Sequence, residues 1–301
     1  MRKSVDGVAI GIMLLICLVW GSQQVAIKSI SAQISPALQI ALRSLFVSLV
    51  LGAYIVIHKT LRKQFLYFLL SGTVVGIFFA LEFIFASEGL KLTTASHMSV
   101  FLYTAPAFAA IGLHLLVPAE RLKFLQWAGI IMAFAGISVA FLYGGSSHSV
   151  NGKMVLGDVM GLLAGLSWGI TTVLIRCSRL NQAPAILTLF YQMAVASVML
   201  LIFSFITDNY QFRLQHESLI SLGYQSVVIA LISYLIWFKL LQKYLASQLG
   251  VLSFITPLFG VLAGMLFLSE PVSCSFAYGS LLIMIGIIMV SGYPIFCRYF
   301  H

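Results

Sequence analysis

The chain has 301 residues, 61% apolar and only 8% charged, with a mean hydropathy of +1.05. A soluble domain carries roughly a quarter charged residues, so a water-soluble globular fold is excluded and a membrane protein is implied. The net charge of +9 does not point to nucleic acid, because the basic residues stand singly or in pairs at the ends of apolar runs and form no stripe.

A spanning helix needs about 20 apolar residues. Runs of that kind fall at 6–28, 36–58, 65–86, 95–117, 123–143, 155–177, 184–207, 217–239, 246–268 and 274–297. The chain is therefore expected to be an all-α membrane protein with ten transmembrane helices. Arg2 and Lys3 before the first run imitate a secretion signal. Bulky Trp20, Gln23 and Gln24 follow it without a small-residue cleavage site, so it reads as a retained helix. The joints are short and polar, and the longest, Gly144 to Lys153, divides the chain into halves 1–145 and 146–301. Cys17, Cys177, Cys274 and Cys297 show no CxxC spacing and read as small hydrophobes.

The two halves repeat one another. Trp20 to Ala37 aligns with Trp168 to Ala185 through Trp20/Trp168, Gly21/Gly169, Val25/Val173, Lys28/Arg176 and Pro36/Pro184. Leu90 to Pro106 aligns with Leu241 to Pro257, and Glu120/Glu270, Gly129/Gly279 and Gly136/Gly286 follow. Five spans per copy is an odd number, so the second copy must enter the membrane inverted. Inverted repeats of this kind build secondary transporters, with the substrate site near the midplane between them. With the N-terminus inside, Arg2, Lys3, Lys59, Arg62, Lys63, Arg121, Lys123, Arg176, Arg179, Lys239, Lys243 and Arg298 lie on the cytoplasmic side. Only Lys28, Lys91, Lys153 and Arg213 lie outside. That bias places both termini in the cytoplasm.

Ionisable residues inside apolar spans are costly and are functional candidates by default. Arg43, Glu82 and His97 all fall in the outer third of the bilayer on this span assignment. An Arg43–Glu82 pair would keep both charged, and His97 would add a group that titrates near neutral pH. The set reads as a proton-coupling or substrate-carboxylate site, or else as a static salt bridge with His97 facing the interface. Pro106 and Pro257 sit mid-span in equivalent places and would break their helices, as paired hinges or as fixed kinks lining a cavity. Tyr103, Thr104, Ser253 and Thr256 beside them would face that cavity. Trp20 and Trp168, with Gln23, Gln24, Thr171 and Thr172 a turn on, offer an apolar wall with hydrogen-bonding groups. Tyr191 and Gln192 in span seven and Tyr234 and Trp237 in span eight extend it, and aromatic packing is the alternative for each. Glu120 and Glu270 follow spans four and nine as loop carboxylates in water or as gating or capping residues.

These features together resemble the EamA family of the drug/metabolite transporter superfamily, over essentially the whole chain. The resemblance is carried by Trp20-Gly21 with Trp168-Gly169, by Pro36 with Arg43, and by Ala95-Ser96 followed by Thr104-Ala105-Pro106. Ala246-Ser247 with Thr256-Pro257 echoes the last of these, and Glu120-Arg121 is echoed by Glu270-Pro271. Tyr191 stands opposite Arg43, so the halves have diverged. The resemblance implies a ten-helix inner-membrane carrier, usually an exporter of amino acids or related metabolites and often proton-driven. The expected partners are a small-molecule substrate and membrane lipids, with the chain a monomer or homodimer. No cofactor, metal or nucleotide motif is found, so movement is expected to run on a gradient and the chain is not read as an enzyme. The other readings are efflux of aromatic cations or drugs, a membrane enzyme, and a non-transporting sensor or scaffold. The enzyme would need a nucleophile–base set that the sequence does not supply.

Overall fold

A computed structural model describes residues 6–118, 121–142, 152–244, 249 and 252–299, with backbone only at 141–142, 238, 241–242 and 290–299. Glu120, Ala246 and Ser247 lie outside the described residues. The helices are α1 (Gly7–Gly21), α2 (Gln23–Ser29), α3 (Pro36–Ile57), α4 (Lys59–Leu90), α5 (Ala95–Leu102), α6 (Ala105–Leu116) and α7 (Phe124–Leu142). There follow α8 (Gly152–Cys177), a 3₁₀ turn (Arg179–Gln182), α9 (Ala185–Ile206) and α10 (His216–Gly223). A π-helical stretch (Tyr224–Ser233), α11 (Tyr234–Lys243), α12 (Thr256–Leu268) and α13 (Cys274–Tyr299) complete the chain. Among the described residues there is no strand, only an isolated bridge between Ile34 and Phe212.

Seven helical units are long and apolar enough to cross a membrane: Gly7–Ser29, Pro36–Ile57, Lys59–Leu90, Ala95–Leu116, Gly152–Cys177, Ala185–Ile206 and His216–Trp237. Phe124–Ala140, Thr256–Leu268 and Cys274–Met289 are shorter apolar helices. The outer surface is apolar, as at Leu70 (80% exposed) and Phe124 (88% exposed). An apolar exterior of this extent needs lipid around it, and the protein is a multi-pass membrane protein.

Local chemistry explains where the helices start and break. Asp6 caps α1 by accepting from the Ala9 amide at 2.8 Å, and Thr94 caps α5 through the His97 amide at 3.0 Å. Pro36 opens α3, where its missing N–H costs nothing. The first span is interrupted at Ser22, whose hydroxyl donates to the Val19 carbonyl and shares a hydrogen bond with the Tyr224 hydroxyl. The fourth span breaks at Tyr103–Thr104, and Pro106 then lies in the first turn of α6. Pro257 lies likewise in the first turn of α12, after a turn at 254–255. Each proline thus starts the second half of a divided helix and does not bend a continuous one.

The packing pairs the halves. The helix α3 runs against α9, and α7 against α13; α1 meets α12 as α8 meets α6; α4 meets α9 as α3 meets the π stretch. Gly136 and Gly279 let α7 and α13 touch backbone to backbone. A Cβ on either would sit 2.6 Å from the other's carbonyl oxygen.

Candidate functional site

The central feature is a cavity of about 500 Å³ between the halves, of the size that takes a small molecule. Trp20 from α1 and Trp168 from α8, the equivalent residues of the two copies, stand on its wall. The Trp20 indole N–H donates to Ser233 Oγ at 2.7 Å. Its ring packs against Tyr234 (5.6 Å between centroids) and edge-on against Trp237 (5.5 Å). Ser233 closes the π stretch and donates its own hydroxyl to the Ile229 carbonyl. A wider helical turn here presents Tyr234 and Trp237 to the indole; π segments occur often at functional sites. On the other side Trp168 meets Tyr103 edge-on at 5.2 Å. Gln23, Gln24, Ser99, Thr171, Thr172, Thr188, Gln192, Ser253 and Thr256 supply the polar part of the wall.

Glu82 also lines the cavity and is 5% exposed. Among the described residues no other Asp, Glu, Lys, Arg or His does so. The expected Arg43–Glu82 ion pair is absent: the ion pairs among the described residues, within 4.0 Å, are three others. Arg43 is buried off the cavity, with its guanidinium 4.9 Å over the Phe83 ring. Phe83 follows Glu82 in α4, and its ring face takes the cation that the carboxylate was expected to take. His97 does not join this group either. The helix α4 runs on to Leu90, so Glu82 lies about 12 Å along the axis from its end, whereas His97 sits in the first turn of α5. Tyr191 is likewise not on the wall. Its ring fills the space over Gly72 and its hydroxyl donates to the Phe65 carbonyl, fastening α9 to α4.

At one end the cavity reaches the joint after α8, where Leu180, Asn181, Ala183 and Ala185 line it and Thr172 and Asn181 are exposed. At the other end a polar network closes it. Glu270 accepts from the Ala95 amide (2.7 Å), the Ser96 amide (2.9 Å) and the Ser96 hydroxyl (2.8 Å), and pairs with Lys28 at 3.4 Å. It is thus a buried cap on α5 and not a loop carboxylate in water. Burial pushes its carboxyl up, but the Ala95 and Ser96 amides, the Ser96 hydroxyl and the Lys28 charge outweigh that and hold it below the ordinary range. Lys28 also donates to the Thr93 carbonyl, and the Thr93 hydroxyl donates to Asp158. Asp158 Oδ2 meets His97 Nδ1 at 2.9 Å, and the imidazole stacks on Phe276 at 3.9 Å. The ends of α2, α5, α8, α12 and α13 are thereby tied together, about 6 Å along the axis beyond Gln24 and Ser99. Sequence reasoning missed Asp158 altogether. Its signal was an acid a few residues into an apolar span, at the same outer depth as His97.

The sequence profile of the EamA-like transporter family matches residues 7–142 and again residues 155–292. A probable amino-acid metabolite efflux pump of Escherichia coli (strain K12) is 27% identical over 94% of this chain and 93% of its own length. An uncharacterized transporter of Bacillus subtilis (strain 168), YvbV, is 26% identical over 93% of this chain and 90% of its own. A crystal structure that covers 99% of this chain and 100% of its own superposes with a TM-score of 0.66 at 19% identity, which shows a shared fold.

Proposed function

The chain belongs to the EamA-like transporter family, and from that premise we propose a secondary active carrier that exports amino acids or related small metabolites by alternating access. In this reading the halves 1–145 and 146–301 are inverted five-helix repeats. The odd number of spans in each supports it, as does a packing in which the contacts between helices recur with the halves exchanged. Lys and Arg asymmetry puts both termini in the cytoplasm and the membrane is the cell's inner one. The cavity mouth beside Arg176 and Arg179 then faces inward. The observation that carries the proposal is a cavity shared by Trp20 and Trp168, open at one end and tied shut at the other. Amino acids are the preferred cargo because similar proteins are named amino-acid metabolite efflux pumps.

Coupling is assigned to the proton, with Glu82 as the carboxylate that takes it up and releases it as the halves rock. The test is transport by purified protein in proteoliposomes under an imposed pH gradient. Glu82→Gln is expected to abolish acceleration by the gradient, with downhill exchange of substrate persisting at saturating concentration. Gradient-driven transport that survives the substitution would remove Glu82 from the coupling. Efflux of aromatic cations is a second reading, favoured by a wall on which the Glu82 carboxylate stands among tryptophan and tyrosine rings. Amino acids that fail to compete with a cationic dye would decide for it.

A further inference from the structure

We infer that the cavity is built to receive an organic ammonium group, a protonated amine on an aromatic or apolar body, with Glu82, Gln24 and Ser99 as its anchor. The inference deepens the carrier reading above by naming the part of the cargo that the protein grips. Three oxygens carry it. Glu82 from α4, Gln24 from α2 and Ser99 from α5 line the same cavity, and their Oε2, Oε1 and Oγ atoms are buried with no hydrogen-bond partner among the described residues; Thr256 Oγ1, on the same wall, is a fourth such atom. Each side chain is at most 5% exposed. A buried polar oxygen without a partner is costly, and the Glu82 carboxylate, the Gln24 carbonyl and the Ser99 hydroxyl on one cavity wall can all accept from a ligand that brings several N–H donors. An ammonium group brings three.

The charge pattern points the same way. Among the described residues the wall carries one carboxylate and no basic side chain. Arg43, the nearest buried cation, lies over the Phe83 ring and off the wall, so it supplies positive charge within the protein but no donor to the cavity. Several donors of the wall are already spent. The Trp20 N–H goes to Ser233, the Thr171 hydroxyl to the Ser167 carbonyl and the Thr172 hydroxyl to the Trp168 carbonyl. What those groups show an incoming ligand is ring face and lone pairs. Indole and phenol faces attract a cation directly, more so where water is excluded. A free carboxylate in the same place would meet the Glu82 charge.

The probes are 2-phenylethylamine and 3-phenylpropionate, alike in ring and chain and opposite in charge. Their binding to the purified full-length protein in nanodiscs is read by calorimetry. The amine is expected to saturate a single site and the acid to show no saturation at the same concentrations. Glu82→Gln should weaken the amine about tenfold or more, as expected when a charge-assisted hydrogen bond is lost, and Ser99→Ala a few-fold. If Glu82→Gln does not fold, Ser99→Ala and Gln24→Leu carry the same test. Acid binding as tight as the amine, no saturable amine binding, or amine binding indifferent to the substitutions would each overturn the inference. Flux is measured separately. Amine binding without flux removes the carrier and keeps the anchor, whereas flux of an amine-free cargo, indifferent to Glu82→Gln, does the reverse.

Discussion

Trp20 and Trp168 occupy equivalent places in the two copies, yet their surroundings differ. Trp20 is held at both edges, by Ser233 at its N–H and by Tyr234 and Trp237 at its ring, while Trp168 meets Tyr103 edge-on. The Ser233 hydroxyl accepts from the indole and donates to its own helix at once. Ser233→Ala therefore leaves a half-buried indole N–H without its protein acceptor, which costs about 1 kcal/mol, as for an ordinary hydrogen bond. The expected outcome is a lower melting temperature together with weaker cargo binding, since the indole wall loses its orientation. Ser138→Ala is the control, because its hydroxyl serves only its own helix and it lies off the cavity wall. An unchanged Ser233→Ala protein, measured by thermal melting and by binding, would show that ring packing alone places Trp20.

Elements were the most legible scale. Long apolar runs between short polar joints located most of the helices to within a few residues, because a helix in lipid must satisfy its own backbone and announces its length. However, α4 starts at Lys59 and not 65, α12 at Thr256 and not 246, and seven helical units among the described residues, not ten, are long enough to span. The breaks were harder to see. Pro106 and Pro257 marked two of them, but Ser22 and the π stretch Tyr224–Ser233 carry no local signal, since tertiary contacts to Tyr224 and Trp20 select them. Tyr191 was misplaced for a related reason: α9 is apolar on every face, so periodicity cannot tell the cavity side from the α4 side. Capping was one of the roles read for Glu270, but its target on α5 was invisible because it lies 175 positions away in the chain. That cap has a definite pH signature. The Glu270 carboxyl is held below its ordinary value of 4.5, so the folded state gains stability that is complete above that value. The gain is lost as pH falls through the folded-state value. Glu270→Gln removes it at neutral pH, at a cost of about 1.5–3 kcal/mol for hydrogen bonds to a charged group. In melting curves taken against pH, the gap between wild type and Glu270→Gln should be widest near neutrality and close below about pH 4.5. A constant gap would mean that the carboxylate charge contributes nothing to the cap.

The whole molecule is tied at one end and open at the other, and this asymmetry is what a carrier must be able to reverse. The tie is made of few parts. Lys28 on α2, Thr93 before α5, Asp158 on α8 and Glu270 after α12 form one connected set, with His97 held between Asp158 and Phe276. These are polar contacts at the edge of the bilayer, where water can replace them as they part. The apolar contacts of α3 with α9 and of α7 with α13 have no such substitute and are better suited to stay. Opening would therefore separate Lys28 from Glu270 while the long helix pairs move as units. Lys28→Cys with Glu270→Cys, in a chain whose four native cysteines are replaced by serine, lets this be tested with a short bifunctional thiol reagent. Cross-linking is expected to leave cargo binding from the open end intact and to stop transport, with a cleavable reagent restoring it on reduction. The singly substituted chains treated alike should transport throughout, which separates a lock from chemical damage. Full transport in a completely cross-linked protein would mean that this end never opens, and the route of the cargo would then have to be sought between other helices.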